Sequence, residues 1–181
     1  PGILDASELF CQLFSEPDAG SDLAAVSTRA RREDGGWCLS GQKVWTSYAQ
    51  FADWGLCLAR TDPDAPKNKG ISAFMVDMRA EGVDIRPLRQ ITDEADFNEV
   101  FFDEVFVADD QLIGPEHQGW AVSGSTLTHE RGTSPRQLVI HNQLLDELYR
   151  LAHDRDMLKD PRVEQDLAQA FVELRLFQLQ N

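Results

Sequence analysis

The chain has 181 residues, of which 17 are basic and 31 acidic, so its formal net charge is −14. An apolar content of 42% is enough for a packed core and argues against general disorder. Nucleic acids and anionic membranes are excluded as default partners, because a chain this acidic repels phosphate groups. A local group of basic side chains could still bind a small phosphate ligand, since steering depends on local charge.

The cysteine and histidine content points away from disulfide bonds and metal sites. Cys11, Cys38 and Cys57 are odd in number and lack Cys-x-x-Cys spacing, which is typical of buried thiols in a reducing compartment. The histidines have no partners at ligand spacing, so we expect no metal. No apolar run reaches transmembrane length and no leader pattern opens the chain. We expect a soluble cytoplasmic protein, or a mitochondrial matrix protein if the source is eukaryotic.

Before Gly114, short runs rich in β-branched and aromatic residues alternate with turn-forming segments. Strands at this spacing favour an antiparallel barrel or sandwich. The clearest hairpin signal is Asp34-Gly35, which readily supplies the positive φ angles of a tight turn. The predicted strands are Leu9–Phe14, Ala24–Arg32, Trp37–Ser47, Trp54–Arg60, Ile71–Met78, Val83–Gln90 and Asn98–Val107.

After Gly114 the apolar residues recur at helical spacing, and Asp160-Pro161 predicts the N-cap and first residue of a helix. The two apolar stripes are Leu144, Leu145, Leu148, Leu151, Ala152 and then Val163, Leu167, Ala170, Phe171, Leu174. We therefore predict an α+β chain, with a β domain at 1–114 and the start of a helical bundle at 115–181. Two helices leave their stripes with little to cover them, so we expect a segment of a larger protein or a partner.

The segment SEPDAGSD, residues 15–22, has the composition of an anion-binding loop. Pro17 fixes a backbone angle, Gly20 permits a close backbone approach, and Ser21 adds a hydroxyl. Successive exposed N–H groups in such a loop can bind phosphate. The alternative is an ordinary capped turn, which is the more common role of such loops.

The segment GQKVWTS, residues 41–47, follows the hairpin and is predicted to be a strand. Alternation then places Trp45 and Ser47 on one face. An aromatic ring beside a hydroxyl suits a planar heteroaromatic ligand with a hydrogen-bonding edge. The alternative is that Trp45 is a core residue, as lone tryptophans usually are.

Six segments of the chain, taken in order, closely resemble the acyl-CoA dehydrogenase family. They are FCQLFSEPDAGSDLA, LSGQKVWTSYAQFADWGLCLART, GISAFMVDM, GVDIRPLR, EVFFDEVFVADDQLIG and GWAV. The resemblance covers nearly all of the chain, as the middle β domain of the family and the opening of its C-terminal helical domain. It implies FAD as the cofactor, with position and electrostatics supplied by the protein.

The resemblance also implies the residues that contact FAD. Gln12 to Ser21 would wrap the flavin and its pyrophosphate, mainly through backbone groups of Phe14 and Ser15 and around Gly20, while Ser21 would also contact the CoA ester. Trp45 would lie against the isoalloxazine ring, and Thr46 and Ser47 would hydrogen-bond its edge.

In an acyl-CoA dehydrogenase, a carboxylate base must remove the α-proton of the acyl-CoA while the β-hydrogen leaves as hydride to the flavin. The family places this glutamate at one of two positions, of which one lies beyond the end of this chain. The other lies in a Leu-x-x-Glu-Arg pattern on the first helix after the β domain, as in isovaleryl-CoA dehydrogenase. Leu127, Glu130 and Arg131 match it, which makes Glu130 the candidate base and Arg131 a candidate acyl-CoA contact. A solvated Glu130–Arg131 surface pair is the alternative.

Three departures from the family pattern stand out. Asp18 replaces a common glycine, and Thr128 stands where relatives often carry an acid that contacts CoA. Gly132 and Pro135 fall where relatives run a continuous helix, and they predict a kink or break.

The resulting hypothesis is a segment of an acyl-CoA dehydrogenase that forms a trans-2-enoyl-CoA, passes electrons to an electron-transfer flavoprotein and assembles as a homo-tetramer. One alternative keeps the fold but is an acyl-CoA oxidase or flavin monooxygenase. Another is a non-catalytic acidic β module that binds a partner.

Overall fold

In the computed structural model, the chain is described over residues 2–131 and 135–179. It divides into two compact units, Pro1–Ser125 and Thr126–Asn181. The first unit holds the strands, and the predicted α+β class with a mostly antiparallel sheet is confirmed. The division at residue 114 into a β domain and the start of a helical domain stays a prediction.

The strands of the described residues are β1 Phe10–Leu13, β2 Arg29–Glu33, β3 Gly36–Ser47, β4 Trp54–Arg60, β5 Ile71–Asp77, β6 Val83–Leu88, β7 Phe97–Ala108 and β8 Leu112–Ile113. They form one eight-stranded sheet in the order β6-β7-β3-β2-β4-β5-β8, with β1 paired parallel to β4. The edge strands β6 and β8 do not pair with each other in the described part of the chain, so the sheet is not closed into a complete barrel.

The hairpin predicted at Asp34-Gly35 joins β2 to β3, with Glu33 opposite Gly36 and Gly35 at φ 74°. The predicted start of the preceding strand was wrong, since Leu23–Ala25 forms a 3₁₀ turn and β2 begins only at Arg29. Leu23 and Val26 are buried, but the backbone of this segment is not part of the strand pairing, which begins at Arg29.

The core of the first unit is built from residues that alternate inward along the strands, including Leu39, Cys57, Phe74 and Val100, all fully buried. Trp37 meets Phe74 edge to face, with ring centroids 5.6 Å apart. The predicted burial of Cys11, Cys38 and Cys57 as free thiols is confirmed. The long pairing of β3 with β7 carries two register shifts, and one of them shapes the candidate site.

The helices are α1 Gly119–Arg131, α2 Pro135–Asp154 and α3 Pro161–Leu179. The predicted cap is confirmed, because the Arg162 N–H donates to the Asp160 side chain at 2.9 Å while Pro161 opens α3. In the second unit α2 packs on α3, yet much of the predicted α2 stripe is exposed, with Leu148 53% accessible. The kink predicted at Gly132 lies outside the described residues. No helix in the described ranges is long and apolar enough to cross a membrane.

Candidate functional site

The segment that contains Phe14 and Ser21 folds as a tight turn beside the end of β1. Glu16 and Ala19 exchange backbone hydrogen bonds of 2.9 and 3.1 Å, which close the turn around Pro17 and Asp18. Phe14 is buried and Ser15 half-buried, whereas Gln12, Gly20 and Ser21 are exposed. A Cβ added at Gly20 would meet no atom of this chain within 4 Å. No described part of the chain therefore packs so closely against Gly20 that a side chain would be excluded there.

A buried ion pair joins this turn to β3. Lys43 Nζ lies 2.8 Å from Glu16 Oε1, and the lysine is 0% exposed. The other two ammonium donors reach the carbonyls of Phe14 at 3.2 Å and Leu58 at 2.7 Å. The Val44 N–H also donates to the Ser15 carbonyl at 2.9 Å. The two motifs singled out in the sequence are therefore in direct contact.

The Glu16 carboxylate also holds the entry to β2. It accepts hydrogen bonds from the Ser27 N–H and hydroxyl at 2.6 and 2.8 Å, and from the Thr28 N–H at 3.0 Å. Burial alone would raise the pKa of Glu16, but the Lys43 charge and these donors lower it from 4.5 to about 2. The carboxylate is therefore charged across the physiological range.

The strand is irregular at the predicted tryptophan. A register shift against β7 falls between Lys43 and Thr46, and Trp45 adopts a left-handed φ of 61°. The bulge turns the indole outward, where it is 63% exposed and touches Phe97 edge to face. The alternative that Trp45 is a core residue is therefore wrong.

The two residues that follow Trp45 provide hydroxyl groups. Thr46 is buried, and its Oγ1 has no hydrogen-bond partner among the described residues, while Ser47 is exposed. Trp45 and Ser47 thus share the exposed side as alternation predicted, although the bulge rather than a regular strand turns Trp45 outward. An orphaned hydroxyl beside an open aromatic surface fits a flat ligand with a hydrogen-bonding edge.

Sequence analysis missed both charged members of the ion pair. Both residues lie in motifs in which the sequence points to other groups: the tryptophan and hydroxyls of residues 41–47, and the anion-binding backbone of residues 15–22. Period-two alternation gives no reliable signal here, because a register shift between Leu39 and Gly41 interrupts it before residue 43. An inward lysine requires a buried partner, since an unpaired charge is strongly disfavoured there.

The first unit also contains a basic cavity of about 880 Å³. Its charged lining residues are Arg29, Arg31, Arg32, Arg60, Lys67 and Glu116. Arg60 donates to the carbonyls of Ala24 and Lys67 at 2.8 and 2.7 Å, and neither Arg29 nor Arg60 forms an ion pair within the described ranges. Arg31, Arg32 and Lys67 are ion-paired with Glu104, Asp109 and Asp22, so the positive charge left without an ion-pair partner in the described residues is that of Arg29 and Arg60.

Glu130 lies in the second unit, exposed near the end of α1, three residues after the half-buried Leu127. The side chain of Arg131 lies outside the described part of the chain. The roles assigned to both residues stay predictions. No cluster of three or more potential metal ligands occurs in the residues that the structure describes.

The model of the acyl-CoA dehydrogenase middle domain matches residues 11–105, more than half of the chain. The chain is 52% identical over 157 residues to acyl-CoA dehydrogenase FadE34 of Mycobacterium tuberculosis, covering 87% of this chain and 22% of that protein. It is 43% identical to acyl-CoA dehydrogenase IpdE1 of the same organism, covering 97% of this chain and 46% of the relative.

A solved structure described as the Tcur3481-Tcur3483 steroid ACAD superposes with a TM-score of 0.86 at 33% identity. The superposition covers 99% of this chain and 46% of the solved one. The chain therefore spans less than half the length of these three proteins.

The Glu16–Lys43 pair makes the stability of the fold depend on pH. Because the pKa of Glu16 in the folded protein is below its ordinary value, the charged carboxylate contributes fully to the free energy of unfolding above pH 4.5. This contribution is lost as the pH falls towards 2. We expect Glu16→Gln to lower the free energy of unfolding by about 3–5 kcal/mol near pH 7, because it leaves Lys43 buried and unpaired. The difference from the unsubstituted protein should shrink between pH 4.5 and pH 2.5.

Urea denaturation at a series of pH values measures this difference. The matched control is Glu81→Gln, an exposed glutamate, which should leave the curve unchanged. A Glu16→Gln protein as stable as its parent at pH 7 would contradict the assignment.

Proposed function

The chain belongs to the acyl-CoA dehydrogenase family, and on this premise we propose that the protein containing it is an FAD-dependent acyl-CoA dehydrogenase. It would remove hydrogen from Cα and Cβ of an acyl-CoA thioester to give the trans-2-enoyl-CoA. Electrons would then pass to an electron-transfer flavoprotein. The match to the middle-domain model and the identity to relatives named acyl-CoA dehydrogenases support this proposal.

The single observation that carries the proposal is the exposed Trp45 beside the orphaned Thr46 hydroxyl, joined to the 14–21 turn through Val44 and Ser15. These groups fit an isoalloxazine ring, with the indole against its face and Thr46 and Ser47 at its edge. The exposed backbone around Gly20 and Ser21, together with Phe14 and Ser15, would hold the pyrophosphate, and Gln12 would border the turn. When bound, FAD supplies the acceptor for the hydride that leaves Cβ.

Glu130 would take the α-proton, so that one C–H bond yields a proton and the other a hydride as the double bond forms. Its place on α1, at i+3 from Leu127, supports the assignment by matching the Leu-x-x-Glu-Arg pattern. Arg131 would contact the acyl-CoA, and Ser21 would contact the CoA ester.

The basic cavity supports an acyl-CoA substrate on electrostatic grounds. The nucleotide end of CoA carries several negative charges, which an acidic protein would otherwise repel. Arg29 and Arg60 offer charges without ion-pair partners in the described residues, whereas Arg31, Arg32 and Lys67 are paired with Glu104, Asp109 and Asp22. The cavity would hold these phosphates through charge-assisted hydrogen bonds.

The full-length protein provides the test. Purified protein should show flavin absorbance that bleaches under anaerobic conditions on addition of an acyl-CoA. Because one solved relative is described as a steroid ACAD, the panel should include a steroid-derived acyl-CoA beside straight and branched chains. No bleaching with any member would reject the proposal. Reoxidation mainly by oxygen with peroxide release, rather than by an electron-transfer flavoprotein, would identify an oxidase.

The base assignment predicts the effect of Glu130→Gln. The substitution removes the proton acceptor while keeping the side-chain size, so we expect kcat to fall by about 100-fold or more. FAD content should not change. Stopped-flow flavin reduction measures the step, and Glu147→Gln on α2 is the matched control. Unchanged kcat in Glu130→Gln would place the base at another position.

The cavity assignment predicts a selective effect on CoA recognition. We expect the pair of substitutions Arg29→Gln and Lys67→Gln to raise KM for the acyl-CoA about 5–30-fold, because each partly exposed charge contributes roughly 0.5–1 kcal/mol. The control is an N-acylcysteamine thioester, which lacks the nucleotide and should react alike in both proteins. An equal loss with both substrates would contradict the assignment.

A further inference from the structure

We propose that Glu16 and Lys43 are positioning residues for the flavin chemistry: their buried ion pair sets the turn at 14–21 against the Trp45 bulge. This inference rests on the proposed function and concerns its geometry. The pair does not touch the proposed ligand. It would act through the Ser15 carbonyl and the Val44 N–H, which stand between the two charges and the exposed indole.

The first step is the saturation of the lysine. An ammonium group has three donors, and Lys43 directs them to Glu16, Phe14 and Leu58. One side chain thus ties the turn after β1 to β3, where the lysine lies, and to β4. Because the group is fully buried, water cannot replace a lost partner, and a small displacement of any of these segments is strongly disfavoured.

The second step is the saturation of the carboxylate. Besides Lys43, Glu16 accepts from the Ser27 N–H and hydroxyl and from the Thr28 N–H. These donors hold the segment that leads from the exposed Gly20–Ser21 backbone into β2. Glu16 therefore fixes both ends of the loop proposed to hold the pyrophosphate, while the loop itself remains exposed.

The third step links the pair to the ring platform. Val44 follows Lys43 directly and is hydrogen-bonded to Ser15, so Trp45 is separated from the buried charge by one residue. A left-handed conformation such as that of Trp45 is disfavoured for a residue with a side chain, and it persists only where its surroundings enforce it. Lys43 and the Val44 hydrogen bond provide that enforcement immediately before the bulge.

A purely structural role and a positioning role differ in a measurable way. Replacing both members of a buried pair with neutral side chains of similar size often leaves stability nearly unchanged, whereas removing one leaves an unpaired charge. A structural role predicts that the double variant regains normal function. A positioning role predicts that the double variant regains stability but not the alignment of the ring with the substrate.

The experiment uses the full-length holoenzyme with Glu16→Gln/Lys43→Met as the double variant. We expect its thermal midpoint without FAD to lie close to that of the parent protein. The Kd for FAD should rise at least 10-fold, and kcat at saturating FAD should fall at least 10-fold with KM for the acyl-CoA within 2-fold. Lys159→Met, an exposed lysine in the second unit, is the matched control and should change none of these.

A second variant, Glu16→Asp, keeps the charge but shortens the side chain by one methylene. We expect a folded protein with a shifted visible circular dichroism spectrum of bound FAD and a kcat at least 5-fold lower. The inference would be overturned if a folded variant of either kind had the same Kd for FAD, the same kcat and the same spectrum as the parent protein. A parent protein that binds no FAD, or that no acyl-CoA reduces, would instead overturn the proposed function.

Discussion

A lysine ammonium without access to solvent constrains the whole candidate site. Lys43 can be buried only because Glu16 and two backbone carbonyls surround it, and Glu16 can be buried only because Lys43 and the Ser27–Thr28 backbone satisfy it. Each charge requires the other to be close by, because an unpaired buried charge is strongly disfavoured. The segments that carry them, a loop after β1 and the middle of β3, therefore cannot move independently.

Two residues after the buried lysine, the aromatic ring of Trp45 is exposed, although such a ring would ordinarily be buried. The inward lysine is followed by the β-bulge, and the bulge turns Trp45 outward next to the buried Thr46 hydroxyl, which has no hydrogen-bond partner in the described part of the chain. Exposed aromatic surface and an orphaned polar atom each carry a cost in a protein without a ligand. A flat, phosphorylated cofactor that bound beside the exposed Gly20–Ser21 backbone would offset both costs.

Charge is distributed unevenly around this arrangement. The chain is strongly acidic as a whole, yet the basic cavity is lined by Arg29 and Arg60, which have no ion-pair partner in the described residues. Net charge describes how a protein behaves towards distant partners, whereas binding depends on the field within a few ångströms, because salt screens exposed charges beyond about 10 Å. An acidic protein can therefore recognise a polyanionic substrate without attracting nucleic acids.

The sequence by itself determined the elements whose causes are local. The strands, the Asp34-Gly35 hairpin and the Asp160-Pro161 helix start follow from alternation, turn chemistry and capping within a few residues, and the ordered motifs identified the family. Only the tertiary structure decided that the sheet stays open, that β2 begins at Arg29 and that Trp45 lies on a bulge. The Glu16–Lys43 pair belongs with these, because it joins residues 27 positions apart, and a period-two pattern reports which side a residue faces but not which distant group it meets.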